Sequence, residues 1–457
     1  MMFDKHAGYR SPPEVGGDRG RGILLLCHHF QLLNNMDFRV TVKVFMAIHR
    51  QYLRLSLLLL AALLTAQKAP ADDKAPEFVV RTASGTPVQG LWHELKPDGS
   101  VRIGPGEGRV VPADEVLAVR RKDTPLPPYP LEDHLLLNNG DRLPFRSLRL
   151  EEEKFYVRHD NLNEGNEVTL SLSAVSLLWR AAPNGTLDAE RLRRRLTLGT
   201  RSQDTICLRN GDQISGVLIS LDGLNAVAEV DKRQVTVKTP QIAYIAFNTE
   251  LADKLRPRGA FARLILNDTR AGRGGRFSLT SAQADETSLT GKTVFGASIV
   301  VPLGEIAALD RYQGRLIHLS DLKATKYDFL PFLDAAWPVG LDGNVREHDL
   351  QLDGSTYDKG ISLHSHSRLT YRLDGAYQRL DTLVGLDDKD GREGHVRVRV
   401  LTDGQTRVGR ELSHRDGAVT INLSLEGVRE LTLEVDFGRR GDVQDVVNWV
   451  DARLLKR

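Results

Sequence analysis

The sequence predicts an all-β protein, in which tandem small β-barrel or sheet repeats are followed by a jelly-roll β-sandwich. Two patterns carry this reading. From Glu77 to about Tyr312, short alternating apolar runs are broken by Gly, Asn and Asp, as expected of strands joined by hairpins. Beyond Tyr312 the runs lengthen into strict period two, as in Val419-x-Ile421-x-Leu423-x-Leu425 and Leu431-x-Leu433-x-Val435-x-Phe437. Such strands bury one face and turn the other to solvent. A chain of 457 residues also exceeds what a single core organises, so several domains are expected.

With 62 Lys+Arg against 60 Asp+Glu, the charge is balanced. That argues against a nucleic-acid partner, which requires a basic face. The dense basic run Arg191–Arg195 (RLRRR) reads as the solvated face of a short linker helix, Asp188–Leu196. Cys27 and Cys207 cannot supply a disulfide framework or, by spacing, a zinc site. The domains must therefore rely on apolar cores.

Near the N-terminus, His49, Arg50 and Arg54 form a basic segment, Leu55–Ala66 a short apolar one, and Ala69-Pro70-Ala71 supplies small residues. Read from Met46, this is the layout of a secretory signal peptide over residues 46–71, cleaved after Ala66 or Ala71. The apolar run is shorter than the ~20 residues of a spanning helix. An uncleaved membrane anchor is the competing reading. Cleavage would leave the protein without a membrane span and place it outside the cytoplasm, in the periplasm, at the cell surface or secreted. Residues 1–45 lack periodicity and read as upstream sequence from too early a start.

Four β repeats are expected, at residues 77–122, 133–182, 203–249 and 260–312. The pairs Asn139-Gly140 and Asn210-Gly211 suit type I′ turns, whose two central residues both need positive φ. Continuous apolar runs close the repeats, for example Val175–Trp179 and Ile242–Phe247. Pro125–Pro130 (PLPPYP) reads as a stiff linker. Glu151–Glu153 is read as a charged turn, and Ala271–Arg276 (AGRGGR) as a hairpin tip, since it lacks the Lys-Ser/Thr of a phosphate loop. The array offers no catalytic constellation. Spacer, ligand platform and surface for protein partners all remain open to it.

Residues 314–457 form the sandwich. Asp-Gly turns at Asp342-Gly343, Asp353-Gly354, Asp390-Gly391, Asp403-Gly404 and Asp416-Gly417 separate its strands. Three segments then occur in order: Lys359-Gly360-Ile361-x-x-His364, Val384-Gly385-x-Asp387-Asp388 and Trp449-x-Asp451-Ala452-x-Leu454, with Trp337-Pro338 ahead of them. Together they resemble the NPCBM family of carbohydrate-binding modules, of the galactose-binding-like superfamily, found in glycoside hydrolase family 98 and in exported bacterial proteins. The resemblance covers about a third of the chain. It implies a galactose-binding-like β-sandwich and a glycan or cell-envelope polysaccharide as partner.

Candidate sugar contacts are His364, His366, Asp387, Asp388, Arg397 and Trp449, and each has a structural alternative. His364 and His366 lie two apart, so on one strand they share a face. There they could bind sugar hydroxyls or hold a sandwich edge. Asp387 and Asp388 point opposite ways, which suits a sugar contact or a turn and a salt bridge to Arg397 better than a paired acid and base. Calcium would need further oxygen ligands that the sequence does not identify, so no cofactor is assigned. Arg397 lines a groove or is solvated. Trp449 stacks on a sugar or packs in the core, as its place in the last strand of the resembled family favours. The expected function is an exported, non-catalytic glycan-binding protein. Alternatives are an accessory module of a glycoside hydrolase and a structural envelope protein without a sugar ligand.

Overall fold

The structure, a computed structural model, describes residues 75–457 apart from 132, 254, 256, 258, 268–273 and 333–335. The upstream extension, the signal peptide, Cys27 and residues 271–273 of the glycine-rich run lie outside the described residues. Residues 75–457 form one compact unit. Among the described residues Ala189–Leu198 is the one α-helix, α1, and strands dominate, so the all-β expectation holds. No helix there is long and apolar enough to cross a membrane.

Each repeat is an antiparallel sheet curled on itself. In the first, Glu77–Thr82 pairs with Val88–Leu95, which leads through Val101–Gly104 to Arg109–Val111. The closing strand Val116–Arg121 then returns to pair with Glu77–Thr82. The order recurs in the third and fourth repeats. In the second repeat the corresponding strand is split into Arg142–Pro144 and Ser147–Glu151, as Pro144 has no N–H for a ladder.

The Asn-Gly corners are not type I′. Gly140 and Gly211 have φ of 85° and 97°, but their asparagines stay out of the left-handed region. The Gly140 N–H donates to Leu137 O, and the Leu137 N–H to Asp141 O, which is a type I turn closed by a glycine bulge. Asn139 acts through its side chain, Oδ1 accepting from the Asp141 N–H at 3.0 Å, and Asn210 does the same for Asp212 at 3.1 Å.

The closing strands are apolar on both faces because they also pair between repeats. Val175–Trp179 runs antiparallel to Ile242–Ala246, and Ile306–Tyr312 to Val116–Arg121. One face fills a barrel; the other makes a floor shared by two repeats. Three arginines clip these joints by donating to the turn that precedes the partner repeat's closing strand. They are Arg121 to Gly304 O, Arg311 to Ala113 O and Arg180 to Thr239 O.

Both floors are covered. Leu192 and Leu196 of α1, with Tyr129, pack on Trp179, Tyr244 and Cys207. Leu117 and Ala83 of repeat 1 meet Leu316 and Leu455 of the sandwich, and Ala307 and Ala308 of repeat 4 meet Leu126 and Tyr357. The two segments read as linkers are therefore docking elements. The basic run of α1 is not a solvated face: Arg193 is buried against Asp349 at 2.5 Å, and Arg191 and Arg195 share Glu347 at 2.6 and 2.7 Å. Arg194 donates to Leu341 O and Asp342 O. The sandwich loop carrying these carboxylates lies more than 140 residues further along the chain, and no local pattern reveals it. In Pro125–Pro130, Tyr129 is held between the guanidinium groups of Arg142 and Arg193, 3.4 and 3.6 Å from its ring centre.

The sandwich packs two antiparallel sheets. One runs Gly340–Leu341, Gly360–His364, Val446–Lys456, Tyr377–Leu386, Val419–Ser424, with Leu316–His318 also on Val446–Lys456. The other runs Lys326–Phe329, Ser367–Arg372, Glu430–Phe437, His395–Thr402, Gln405–Ser413. The strand Val446–Lys456 is buried at every position but its last. Its inner face fills the sandwich, and its outer face lies against the array. There Asp451 takes Arg120 at 2.8 Å and Arg453 at 3.2 Å, while Arg120 also binds Asp310 at 2.7 Å.

The densest junction is at Asp358. Arg142 of repeat 2 and Arg276 of repeat 4 are register partners across the inter-repeat ladder, an unfavourable pairing of like charges. Asp358 resolves it, accepting from Arg142 at 2.6 Å and pairing with Arg276 and with Arg263 at 3.4 Å. Burial opposes its ionisation, but the three guanidinium groups prevail and hold its carboxyl well below the usual range. Asp358→Ala strands these cations in the interior and should cost about 3–5 kcal/mol in chemical denaturation, whereas Glu347→Ala at the exposed rim should cost less than about 1 kcal/mol.

His348 bridges α1 to the sandwich, with Nε2 on Asp188 and Nδ1 on Asp390, both at 2.5 Å. Burial alone would lower its pKa, but the two carboxylates outweigh it and hold the imidazolium up to about 9. Its folded pKa thus exceeds the unfolded value of about 6.5. The clasp is fully present below that pH and is lost as pH rises through about 9. Amide exchange in α1 should accelerate over this range, and His348→Gln should remove most of the pH dependence.

Candidate functional site

A ligand site on the sandwich must be sought on the surface that docking leaves free. The outer face of the sheet containing Val446–Lys456 is taken by the array, with Asp381 on Arg81 at 2.9 Å and Arg379 donating to Ala83 O at 2.6 Å. The outer face of the other sheet is a lattice of ion pairs. Glu434, 3% exposed, sits between Arg368 and Arg399, and Asp436 lies 3.6 Å from Arg399 and 3.9 Å from Arg397. Its charges neutralise one another and it presents no aromatic platform.

One end of the sandwich differs. The chain leaves one sheet at His364 and enters the other at Ser367. His364 and His366 therefore do not share a strand face, since His364 ends one strand and His366 lies in the connection to the next. His364 is buried and stacks on half-buried Trp337, with ring centres 4.8 Å apart and planes within 12°. Its Nδ1 lies 2.9 Å from Ser365 O, and burial lowers its pKa below the ordinary imidazole value. The Trp337 carbonyl is fixed by the Tyr327 hydroxyl at 2.8 Å, and the Arg346 guanidinium lies 5.0 Å from the indole centre.

His366 is half-exposed and meets Phe437 edge-on at 5.1 Å. Phe437 in turn meets Phe332 at 5.6 Å, and Phe332 is 56% exposed. The Leu330 N–H donates to His366 O at 3.1 Å, which ties the Phe332 segment to this end. Three buried polar atoms at this end make no well-formed hydrogen bond: Ser365 Oγ and Asp445 Oδ2, which interact with each other, and His366 Nδ1, which is 3.9 Å from Asp436. The other oxygen of Asp445 accepts from the His395 N–H at 3.0 Å. Burial pushes the Asp445 carboxyl up to about 6, although Ser365 and the His395 N–H pull it down. Aromatic surface beside a few unsatisfied polar groups is the usual composition of a small-molecule site.

The other expected contacts are engaged within the protein. Trp449 is fully buried in the sandwich core and cannot stack on a ligand. Asp387, 0% exposed, accepts from the N–H groups of Lys389 and Asp390 at 3.0 and 2.8 Å and from Asn448 Nδ2 at 2.6 Å. Asp388 caps the Asp353-Gly354 turn, accepting at 3.1 and 2.8 Å. Neither pairs with Arg397, which turns to Asp436 on the neighbouring strand of its own sheet. Among the described residues no group of three or more His, Cys, Asp or Glu is placed to hold a metal ion.

Sequence reasoning missed Trp337, Phe332, Phe437 and Asp445. Trp337-Pro338 stood out as a segment but could not be placed. Phe437 continues an inward-facing alternation, yet at the strand's end the sandwich no longer covers it. Removing the charge of Asp445 relieves a buried carboxylate. Asp445→Asn should therefore be more stable than the parent above pH 6, with the difference vanishing toward pH 4 as the parent protonates; urea melts at a series of pH values measure this.

Comparison with known proteins places this site in a recognised domain: residues 317–455 match the NPCBM/NEW2 domain. A protein of Renibacterium salmoninarum named as an endo-alpha-N-acetylgalactosaminidase is 26% identical over 107 residues, 23% of this chain and 7% of the relative. The chain thus corresponds to only a small part of that relative. A CBM51 module from Clostridium perfringens GH95, solved in complex with methyl-galactose, is 22% identical and matches over 30% of this chain and 99% of the module, with a TM-score of 0.28. Tandem CBM51 modules of the family 98 glycoside hydrolase from Streptococcus pneumoniae are 11% identical, over 71% of this chain and 88% of theirs, with a TM-score of 0.28.

Proposed function

We propose that the NPCBM/NEW2 domain of this chain binds a glycan at the end formed by Trp337, His364, His366, Phe437 and Asp445, in an exported, non-catalytic protein. A single observation carries the location. Of the sandwich surfaces, one broad face is docked and the other is an ion-pair lattice, whereas this end offers exposed Phe332 and half-buried Trp337 and Phe437 together with buried polar atoms that lack well-formed hydrogen bonds. An apolar ring face of a pyranose can lie on Trp337 or Phe332, while its hydroxyls donate to Asp445 and accept from His366. His364 serves as the backing of Trp337. In this reading the β repeats are a rigid mount that fixes the direction in which the site points.

A glycan array probed with the full chain, followed by titration of the best ligand, tests the reading. Trp337→Ala and Phe437→Ala should each weaken binding at least tenfold, about 1.4 kcal/mol or more, while Arg397→Ala stays within twofold. Equal losses from Arg397→Ala would move the site to the sheet face. Silence across the array would favour the structural envelope reading, and release of reducing ends by the chain would make it an enzyme.

A further inference from the structure

The joint between repeats 1 and 4 is incompletely filled. A cavity of about 110 Å³ opens beside the Lys96–Ser100 turn and runs between the two barrels. Val101, Val116 and Val119 of repeat 1 and Phe261, Leu279 and Leu309 of repeat 4 give it apolar walls. Protein interiors rarely leave voids much larger than a water, and an apolar cavity of similar size accepts a benzene ring.

Arg311 also lines this cavity. One of its nitrogens, Nη1, clips the joint by donating to Ala113 O at 2.6 Å. Among the described residues no carboxylate lies at ion-pair distance from it. Burial lowers its pKa, and the more distant Asp98 and Asp114 offset only part of that effect. Asp98 stands at the mouth, but its carboxylate is engaged by its own turn, accepting from the Ser100 N–H at 2.8 Å. The clip itself does not require an unpaired cation, since the corresponding Arg180 in repeat 2 is neutralised by Asp133 at 2.7 Å. A half-buried guanidinium with no carboxylate at ion-pair distance, beside a cavity that has apolar walls as well as polar lining from Thr280 and Ser281, matches a ligand that carries both a charge and an apolar body.

We propose that this cavity binds a small monocarboxylate with an apolar body, of the size of benzoate. The carboxylate takes the free N–H groups of Arg311, a geometry that guanidinium favours over a point cation, and the body fills the space between Val119, Phe261 and Leu309. The site is separate from the aromatic end of the sandwich and would load the array independently of any glycan.

Calorimetric titration of the full chain with benzoate tests this, with benzyl alcohol as the uncharged counterpart. Expected are one saturable site, at least tenfold weaker binding of benzyl alcohol, and at least a tenfold loss with Arg311→Met that Arg311→Lys partly restores. Ala262→Leu fills the cavity while leaving Arg311 in place, and should abolish binding; if it lowers the melting temperature, Ala282→Leu serves instead. Trp337→Ala should leave benzoate binding unchanged. Lack of saturable benzoate binding overturns the proposal. So does equal affinity for benzyl alcohol, binding that survives Arg311→Met, or binding lost with Trp337→Ala.

Discussion

The architecture depends on one buried carboxylate. Bringing repeats 2 and 4 edge to edge places Arg142 opposite Arg276, with Arg263 close by, in a region from which water is largely removed. The array alone cannot balance these charges, because Asp141, the other carboxylate there, lies 3.6 Å from Arg263 and is mainly engaged by Ser278. Asp358 arrives from the sandwich and completes the set. Buried ion pairs contribute little net stability over an apolar equivalent, but a missing partner is costly. Such an arrangement specifies which surfaces meet more than how strongly they adhere.

A second network repeats the logic along the sandwich's last strand. Asp451 and Arg453 belong to the terminal segment that resembles the NPCBM family, yet they face repeats 1 and 4, where Arg120 and Asp310 meet them. Around both networks the apolar contacts of Leu117, Leu126, Ala308 and Leu455 exclude solvent. The α1 helix adds a third contact through Arg193 and Asp349. With three junctions spread over the interface, the sandwich is a fixed extension of the array and not a module swinging on a tether. That rigidity bears on function, since it commits the site end of the sandwich to one direction and removes one broad sheet face from use.

The sequence motifs divide accordingly. In Lys359-Gly360-Ile361-x-x-His364, Lys359 bridges Asp321 and Asp342 at 2.6 and 2.8 Å, and Gly360 is required because a Cβ would lie 2.6 Å from Trp449 O. Asp387 and Trp449 complete the core side of the same architecture. Of that motif residue set only His364 reaches the candidate site, and it does so as the support of Trp337. Motif residues here chiefly record how the sandwich is built. The other residues of the candidate site, Phe332, Trp337, His366 and Asp445, lie in the connecting segments, with Phe437 at a strand's end.

The sequence by itself determined what repeats along the chain. Period two in Val419–Leu425 and Leu431–Phe437 marked strands with one buried face, and the continuous apolar runs Val175–Trp179 and Ile242–Ala246 marked the strands that close the repeats. These are local properties, because alternation is set by the backbone of each strand. Tertiary structure alone decided where the charges go. Nothing near Arg193 in sequence foretells Asp349, nor does anything near Arg142 foretell Asp358, since the partners are 156 and 216 residues away. The same holds for the site: the ring pairs Trp337–His364 and His366–Phe437 come to one end of the sandwich only because the chain changes sheets between His364 and Ser367.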